Sequence, residues 1–487
     1  MGFEKLEFLR QSVWPEWIAE LENAPRRALL LHGIMGSELY DREDNNTRWV
    51  DLGIWHEVDN LEFDRLTVHG GIDVNGQFIY ARSTVHPPVI EDPYAVFLSA
   101  TGLGRYNFDW RESLAIAASR FGQFLDLVFA RDPTPLQLVT HSMGGNLVLR
   151  LLSDTTRFDE RIERVCFVAP LFHGALKPIR VIEQGKGTPI DFLIRDSVLR
   201  ESAATFPGLF NLIPAPEKFW PTQLAPANSG GAPIMLSYPI RSGHNLYDSA
   251  NWTNSHRFEW RSQILGFAER NHQALADPNH VVARFKGRIN IIVGLNGKTA
   301  YAGQRHGARW TFHRLPRPDQ EDKISNGDGT VLFQSSYLPS LPTSAYHAFI
   351  PATQRNIHGG LVDRAAVIQT VEELMDGKGV THPDVHPYAA FIDRIDWSHE
   401  ADDATMVEPS THLDYLERAE ARRYIPVADW GILDSEGDAQ LFEATRAMAR
   451  RAIAGDVSVN QAAAYLGQST NFVIEHIQAL LMPIFHG

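Results

Sequence analysis

The chain has 487 residues and a formal net charge of −14, with 44% hydrophobic and 21% charged residues. This composition is typical of a globular protein with a large buried core, and the length indicates one large domain with insertions or two domains. The acidic balance argues against nucleic acid as the main partner and against electrostatic docking to anionic lipid, while hydrophobic docking stays open.

The single cysteine, Cys166, lies in the apolar run RVCFVAP and is interpreted as a core residue rather than a nucleophile. One cysteine cannot form an intrachain disulfide, which fits a reducing compartment. The N-terminal stretch MGFEKLEFLRQSVWPEW carries early acids and no apolar segment, so we expect no secretory signal. No run of residues approaches the length of a membrane span. The expected location is therefore cytoplasmic.

Residues 27–31 (RALLL) form the first strand-like apolar run, and the Gly-rich loop HGIMGS follows it at 32–37. A backbone N–H near Ile34 or Met35 would suit one donor of an oxyanion hole, with an ordinary strand-to-loop turn as the alternative. Residues 41–93 are interpreted as short strands and loops. Residues 114–128 then carry an apolar helical face, and Asp109 just before them is expected to cap that helix.

Residues 136–150 (LQLVTHSMGGNLVLR) have the layout of a nucleophile elbow. A short apolar run predicts a strand, a turn places Ser142 at its tip, and apolar residues at helical spacing follow. The helix N-terminus and the Met143 N–H would then favour a developing oxyanion. Thr140 stands where this motif usually has a small residue, because strand and helix pass close together there.

A strand at 165–169 precedes an insertion at 175–284 with Pro- and Gly-rich loops and an apolar surplus. One explanation is a small core of its own; the other is a cap whose inner wall faces a long apolar substrate, and we expect both. The residues predicted to contact substrate are Phe206, Leu209, Phe210 and Trp220.

Two further motifs place an acid and an imidazole behind later elements. Asp328 lies between two glycines after a predicted strand at 288–293, and His358 precedes two glycines and a predicted helix. The order Ser142, Asp328, His358 is typical of α/β-hydrolases. A serine hydroxyl needs an imidazole to take its proton, and that imidazole needs a carboxylate to fix its tautomer.

Other histidines compete for the role of base. His347 has no glycine turn and no helix behind it, and His173 precedes Asp328 and breaks the order, so His358 is favoured over both. His141 adjoins the serine but is expected to point the other way and to play a supporting role. The loop HPDVH at 382–386 is weak evidence for a metal site, because it lacks further ligands at suitable spacing.

These motifs together resemble the lecithin:cholesterol acyltransferase-like α/β-hydrolases, a group of phospholipases and acyltransferases. The pieces that fall in the family's order are HGIMGSEL, Tyr94, YNFDWR, THSMGG, FPGLFNLIP, GDGTV and HGGL, over about residues 26–377. The resemblance implies Ser142 as nucleophile, Asp328 as acid, His358 as base, oxyanion donors near Ile34 and at Met143, and a cap over the acyl site. It implies no metal or organic cofactor.

The predicted fold is therefore an α/β-hydrolase with a mostly parallel central sheet and flanking helices. The predicted parts are core residues 1–174, a cap insertion at 175–284, core residues 285–377, and an acidic, mainly helical extension at 378–487. The extension is interpreted as a packing or homo-oligomerisation appendage.

The predicted function is hydrolysis or acyl transfer at a carboxylic ester, with a lipid-like substrate and transient hydrophobic contact with membranes. The alternatives are a small-ester or thioester hydrolase, and a scaffold or signalling protein that keeps the hydrolase fold while its extension recruits partners.

Overall fold

The computed structural model describes the chain up to residue 398, with gaps. The described residues are 2–43, 45–49, 63–67, 70–73, 78–84, 93–186, 196–227, 231–241, 243–252, 258–276, 279–306, 309–315, 322–352 and 357–398. The mainly helical extension predicted for 378–487 lies outside the described residues from 399 onward.

Helices and strands alternate through most of the described chain. The helices are α1 (Gly2–Phe8), α2 (Trp14–Asn23), α3 (Pro93–Thr101), α4 (Leu114–Arg131), α5 (Met143–Asp154), α6 (Lys177–Gln184), α7 (Asp196–Ala203), α8 (Pro207–Phe210), α9 (Phe258–Leu275), α10 (Asn279–Arg284), α11 (Ala365–Met375) and α12 (Tyr388–Phe391). A π-helical turn, Leu9–Val13, joins α1 to α2. Short 3-10 helices lie at Glu217–Phe219, Ser249–Asn251, Phe333–Ser336, Thr343–Ala345 and Ile392–Arg394.

The strands fall into one large sheet and several small ones. They are β1 (Ala28–Leu31), β2 (Ser37–Asp41), β3 (Thr47–Trp49), β4 (Phe63–Thr67), β5 (Gly70–Asp73), β6 (Ile79–Thr84), β7 (Gly104–Tyr106), β8 (Leu136–His141), β9 (Ile162–Val168), β10 (Gln223–Leu224), β11 (Ile234–Met235), β12 (Ile289–Gly294), β13 (Ala300–His306), β14 (Arg309–Arg314), β15 (Tyr346–Phe349) and β16 (Val385–Pro387). The small sheets are β3-β2-β6, β4-β5, β10-β11 and β13-β14.

The central sheet has seven strands in the order β16-β15-β12-β9-β8-β1-β7. Every neighbouring pair is parallel except β15 and β16. Parallel neighbours need crossover connections, which the helices between the strands provide. A mostly parallel sheet with helices on its faces and an elbow after the central strand β8 is the α/β-hydrolase fold, as the sequence predicted.

The two faces of the sheet carry two separate hydrophobic cores, because successive strand residues point to opposite sides. In β1, Leu29 and Leu31 join the core that contains α4 and α5, whereas Leu30 joins the core beneath α3 and α11. In β9, Phe167 and Cys166 divide in the same way. Strands buried on both faces read as continuous apolar runs, which is why RALLL and RVCFV were recognisable in the sequence.

The start of α4 differs from the prediction that Asp109 caps it. The Leu114 N–H donates instead to Asn211 Oδ1 at 2.7 Å, so the cap comes from a segment 97 residues away. Asp109 is buried and binds two cations, with Lys5 Nζ at 3.0 Å and Arg111 at 2.7 Å. The local spacing looked like a cap because a carboxylate before a helix is common, but the ion pairs with Arg111 and Lys5 take it elsewhere.

The segment between β9 and β12 contains α6 to α10, and the hairpin β13–β14 follows β12. The hairpin contacts this segment: the Arg241 N–H donates to Gly303 O, and Gln184 donates to Trp310 O. Helix α9 lies close to α8 and to α5, and α10 also lies close to α5. The placement of a cap within 175–284 stays a prediction.

Within the described ranges, no helix has the length and apolar character that crossing a bilayer requires.

Candidate active site

Ser142 lies at a sharp turn between the carboxyl end of β8 and the first turn of α5. Its backbone has φ 51° and ψ −122°, a conformation that L-residues rarely adopt. Two hydrogen bonds hold the turn: the Ser142 N–H donates to Val168 O, and the Gly145 N–H donates to Ser142 O, both at 2.9 Å. This strained geometry is what the elbow motif requires to lift the serine out of the line of the strand.

Close contact between α5 and the sheet explains the glycines after the serine. A Cβ at Gly144 would lie 2.5 Å from Leu31 O and 2.6 Å from His32 O, so no side chain fits there. Thr140, the departure from the usual motif, faces Gly145, where a Cβ would lie 3.3 Å from Thr140 Oγ1. The missing side chain at Gly145 therefore leaves the room that Thr140 occupies.

The structure brings Asp328 and His358 to Ser142. His358 Nε2 lies 2.9 Å from Ser142 Oγ, and His358 Nδ1 lies 2.7 Å from Asp328 Oδ2. The other oxygen of Asp328 accepts hydrogen bonds from the backbone N–H groups of Thr330 and Val331. Because the carboxylate accepts a hydrogen bond from the Nδ1–H group, Nε2 carries no proton and is left as an acceptor that faces the serine hydroxyl. All three side chains are buried.

The loop that carries Asp328 and the loop that carries His358 are joined by a backbone hydrogen bond. The Ile357 N–H donates to Asp328 O at 2.8 Å, directly before the histidine. A Cβ at Gly294, the last residue of β12, would lie 2.8 Å from Asp328 Cβ. The acid loop is thus pressed against the end of β12, so the carboxyl edge of the sheet sets its position.

The rival histidines lie elsewhere. His347 belongs to β15, and no described residue bonds its Nε2 atom. His173 Nε2 donates to Tyr337 O at 3.0 Å. Burial lowers the pKa of each of these two imidazoles to about 4. Neither is in contact with Ser142, whereas His358 is.

His141 supports its neighbours rather than facing Ser142 Oγ. Its Nε2 lies 2.9 Å from the carbonyl oxygen of His358, and its Nδ1 lies 2.7 Å from Tyr94 Oη. Burial, together with the positive charge available to His358, lowers the pKa of His141 to about 3. The ring is therefore neutral near pH 7 and acts as a hydrogen-bonding spacer.

The Gly-rich loop predicted to hold oxyanion donors lies directly against the serine. A Cβ on Gly33 would come within 2.9 Å of Ser142 Cβ. Ile34 and Met35 are the next residues of this loop, and Met35 has φ 64°. Met143 N–H opens α5, where the first N–H groups have no partner within the helix. The geometry thus brings both predicted sources of N–H groups beside Ser142, and their role as oxyanion donors stays a prediction.

Three of the residues predicted to contact substrate, Phe206, Leu209 and Phe210, belong to the larger hydrophobic core, and Trp220 is also buried. Phe206 packs edge-on against Trp110 at 5.7 Å, and Phe210 packs against Trp252 at 5.3 Å between ring centroids. Trp220 lies beside His173, and Leu209 is 7% exposed. Because Trp110 lies outside the insertion, these residues are part of one core shared with the sheet and not of a separate core; contact with a substrate stays a prediction.

Two residues near the site were given no role by the sequence, Tyr94 and His32. The Gly33 N–H donates to Tyr94 Oη at 2.9 Å. His32 Nδ1 lies 2.7 Å from Gly33 O, and the Phe108 N–H donates to His32 Nε2 at 3.3 Å. Burial lowers the pKa of His32 to about 4. The sequence signal for both residues was that they lie in motifs that follow the family's order. Their hydrogen-bond partners could not be predicted, because Tyr94 and Phe108 lie far along the chain from the loop at 32–33.

Within the described residues, no group of three His, Cys, Asp or Glu side chains is arranged to hold a metal ion. In the loop at 382–386, His382 Nδ1 accepts a hydrogen bond from the Asp384 N–H and is thereby occupied. Cys166 is buried in β9, and burial raises the pKa of its thiol to about 12. The thiol is therefore protonated, as a core residue should be.

Comparison with known proteins connects this site to a family. Residues 101–272 match the family model of lecithin:cholesterol acyltransferase. This match confirms the resemblance that the motifs indicate. It includes Ser142 and ends before Asp328 and His358. The activity implied by the resemblance is that of a hydrolase or acyltransferase. None of the curated proteins matches the chain in sequence.

Several solved structures match the chain at low identity. A chain of the Tle4–Tli4 complex is 14% identical, with 68% of this chain and 92% of that chain covered and a TM-score of 0.40. The mature Bacillus licheniformis lipase BlEst2 is 12% identical, with 72% and 91% covered and a TM-score of 0.31. Legionella pneumophila phospholipase PlaB is 14% identical, with 38% and 35% covered and a TM-score of 0.19.

Proposed function

We propose that this chain, which matches the lecithin:cholesterol acyltransferase family over residues 101–272, is a serine hydrolase that cleaves carboxylic esters or transfers their acyl group. Ser142 is the nucleophile, His358 the general base and Asp328 the acid that orients the imidazole. The observation that carries the proposal is the pair of contacts at His358, 2.9 Å to Ser142 Oγ and 2.7 Å to Asp328 Oδ2. No metal or organic cofactor takes part.

In the first half of the reaction, Ser142 Oγ attacks the ester carbonyl carbon while its proton passes to His358 Nε2. The carbonyl oxygen becomes an oxyanion, which backbone N–H groups at Met143 and at Ile34 or Met35 stabilise. The carbon–oxygen bond to the alcohol then breaks, the leaving oxygen takes the proton from His358 Nε2, and the acyl group stays on Ser142.

In the second half, water or a second alcohol gives its proton to His358 Nε2 and attacks the acyl carbon. The bond to Ser142 Oγ breaks, and the serine regains its proton from the imidazole. Asp328 stays ionised throughout and stabilises the imidazolium that forms twice per cycle. Hydrolysis and acyl transfer differ only in the acceptor, so the same three side chains serve both.

The family resemblance and the surroundings of Ser142 support an acyl group of lipid type. A Cβ on Gly208, in the segment FPGLF, would lie 3.0 Å from Met143 Cε, so this apolar segment reaches the residue after the nucleophile. Phe206, Leu209 and Phe210 lie within two residues of Gly208, and Trp220 follows further along the same segment. Transient apolar contact with a membrane surface would give such an enzyme access to its substrate.

A fluorophosphonate probe followed by mass spectrometry of the peptides tests the proposal. We expect the wild-type chain to carry the phosphonyl group on Ser142 and Ser142→Ala to stay unlabelled. A folded wild-type chain that does not react would contradict the enzyme and favour the scaffold alternative. This readout needs no knowledge of the natural substrate.

A series of p-nitrophenyl esters from two to sixteen carbons tests the substrate class. A lipid-type enzyme is expected to show kcat/KM rising with acyl length, because each buried CH₂ contributes about 0.8 kcal/mol. A maximum at two to four carbons would instead support a small-ester hydrolase. Addition of a long-chain alcohol then distinguishes acyl transfer from hydrolysis by the ester product.

A further inference from the structure

The two sides of the proposed reaction centre come from distant parts of the chain but are joined by one chain of hydrogen bonds. On one side the Gly33 N–H donates to Tyr94 Oη at 2.9 Å. Tyr94 Oη lies 2.7 Å from His141 Nδ1, and His141 Nε2 lies 2.9 Å from the carbonyl oxygen of His358. The oxyanion loop is thereby connected to the backbone of the proposed base.

Each bond in this chain has one consistent donor. The Gly33 N–H can only donate, so Tyr94 Oη accepts that bond and directs its own proton to His141 Nδ1. The imidazole then carries its proton on Nε2, where the His358 carbonyl can only accept it. All members are buried. No alternative assignment satisfies all three contacts with a neutral ring.

We propose that Tyr94 and His141 are positioning residues that fix the oxyanion loop at Gly33 relative to the backbone of His358. Neither side chain is placed to touch the substrate, and both act through the groups they hold. The inference rests on the proposed function, because it assigns a purpose to a contact chain around Ser142, Asp328 and His358.

Gly33 is the point at which the loop is held most tightly. Tyr94 binds the N–H of the peptide before Gly33, and His32 Nδ1 donates to the carbonyl of the peptide after it at 2.7 Å. In a trans peptide the C=O and N–H point in opposite directions, so fixing Gly33 O also fixes the direction of the Ile34 N–H. That N–H is one of the predicted oxyanion donors.

The space around Gly33 leaves no freedom to compensate for a lost bond by moving the loop inward. A Cβ at this residue would lie 2.9 Å from Ser142 Cβ, 3.1 Å from Tyr94 Oη and 3.3 Å from His141 Nδ1. The loop, Ser142 and the Tyr94–His141 pair, here called the relay, therefore lie against one another at Gly33. Loss of the Tyr94 hydroxyl would leave the Gly33 N–H and His141 Nδ1 buried without partners, and the loop would shift away from the serine to reach water.

At the other end, His141 holds the carbonyl of His358 while Asp328 and Ser142 hold its ring. The imidazoles of His141 and His358 lie 5.1 Å apart between centroids. A displacement of about 1 Å in a reacting group lowers rates by about 100-fold in general. We therefore expect the relay to contribute to catalysis through position and not through charge.

The test measures the rate of fluorophosphonate labelling of Ser142, resolved into the maximal rate of inactivation and the probe concentration at half that rate. Tyr94→Phe keeps the ring and removes only the hydroxyl. Tyr346→Phe is the matched control, because Tyr346 is also buried and its hydroxyl makes two backbone bonds to Leu338 away from the site. Melting temperatures are recorded for both.

We expect Tyr94→Phe to lower the maximal inactivation rate by about 10-fold to 100-fold with little change in half-saturation, while Tyr346→Phe lowers only the melting temperature. His141→Gln, whose amide can still donate to the His358 carbonyl, should retain more activity than His141→Leu. In the His141→Leu background, Tyr94→Phe should add little, because the relay is already broken.

Three results would overturn the relay: an unchanged rate in Tyr94→Phe, the same rate loss in Tyr346→Phe, or full multiplication of the two effects in the double variant. Each of these presupposes a wild-type chain that labels at Ser142. If the wild-type chain does not label, the proposed function fails instead. The wild-type measurement therefore distinguishes failure of the proposed function from failure of the relay.

Discussion

Two buried polar networks lie side by side in this molecule and are built from different chemistry. The network around the proposed site is made largely of neutral groups: His32, Tyr94, His141 and the hydroxyl of Ser142, with Asp328 as its carboxylate. The other network, here called the ionic cluster, consists of charged side chains. Its members are Lys5, Asp109, Arg111, Glu112 and Arg120.

The ionic cluster joins the N-terminal helix α1 to the segment before α4. Lys5 Nζ binds Asp109 and Glu112, each at 3.0 Å, and Arg120 pairs with Glu112. Although burial opposes ionisation of Asp109, the charges of Arg111 and Lys5 hold its pKa below the usual range. A buried charge is tolerated only with such partners, and it then makes the fold sensitive to loss of any partner.

The two networks meet at Phe108. Its N–H donates to His32 Nε2, its ring stacks on His32 at 4.4 Å, and its carbonyl accepts a bond from Ser37 Oγ. The ionic cluster thus fixes the segment against which the loop at Gly33 lies, whereas the network around the proposed site contains the proposed reacting groups. Ion pairs therefore hold this part of the scaffold together, whereas mainly neutral hydrogen bonds surround the proposed site. We expect substitutions in the ionic cluster to lower stability and substitutions in the network around the proposed site to lower activity.

The largest expected effect is on activity alone. Ser142→Ala should lower kcat/KM for a p-nitrophenyl ester by about 10⁴-fold or more, since it removes the proposed nucleophile. Unfolding in urea should stay close to wild type, because alanine removes one hydroxyl. A variant that keeps more than a tenth of wild-type turnover would show that another residue is the nucleophile.

A second pair of variants separates the proposed base from its rival. His358→Ala should lower kcat/KM by about 10⁴-fold, because no other imidazole contacts Ser142 Oγ among the described residues. His347→Ala should leave kcat within about threefold, since its ring lies in β15 away from the serine, and changes within that range reflect packing. The reverse result would transfer the role of base to His347.

The ionic cluster should respond in stability. Asp109→Asn leaves Lys5 and Arg111 buried with one acid fewer, and is expected to cost about 3–5 kcal/mol of unfolding free energy. Lys5→Met is the matched control with a smaller cost, because Asp109 keeps Arg111 and Glu112 keeps Arg120. Chemical denaturation measures both. Equal losses would mean that helix packing, and not charge balance, dominates the cluster.

The smallest expected effect, counted per ring and per pH unit, is the pH dependence of stability, and it comes from buried histidines both inside and outside the network around the proposed site. Burial lowers the pKa values of His32 and His173 to about 4 and of His141 and His272 to about 3. The unfolded chain binds protons below about pH 6.5, but these rings in the folded chain do not. Stability should therefore fall as the pH drops from about 6.5 toward 4, by up to about 1.4 kcal/mol per pH unit for each ring.

Urea unfolding at pH 7.5, 6.0 and 5.0 measures this slope. His272→Leu should reduce it by the contribution of one proton, whereas Asp109→Asn should leave it nearly unchanged, because the contribution of a carboxylate with a lowered pKa is lost only below about pH 3.9. A flat profile between pH 7.5 and 5.0 would mean that the buried imidazoles find partners when protonated.

The fold and the order of the site residues could be predicted because both depend on short sequence patterns that can be recognised without knowledge of distant contacts. Strands buried on both faces give continuous apolar runs, the elbow needs a serine followed by small residues, and glycines mark the turns at Asp328 and before α11. The chain order Ser142, Asp328, His358 follows from these marks, and the structure brings the three side chains into contact. Residues 399–487 lie outside the described chain, so their predicted helices stay predictions.

What the sequence could not give is partner choice between distant residues. Asp109 was predicted to cap α4, but Asn211 does so from 97 residues away. Tyr94 lies 47 residues from His141, and His141 lies 217 residues from the carbonyl it binds. By itself the sequence determined which residue types stand at the turns of the sheet. Only the tertiary structure decided which of them touch. A hydrogen bond requires a donor–acceptor distance that is right to within a few tenths of an ångström, and no spacing along the chain encodes such a distance.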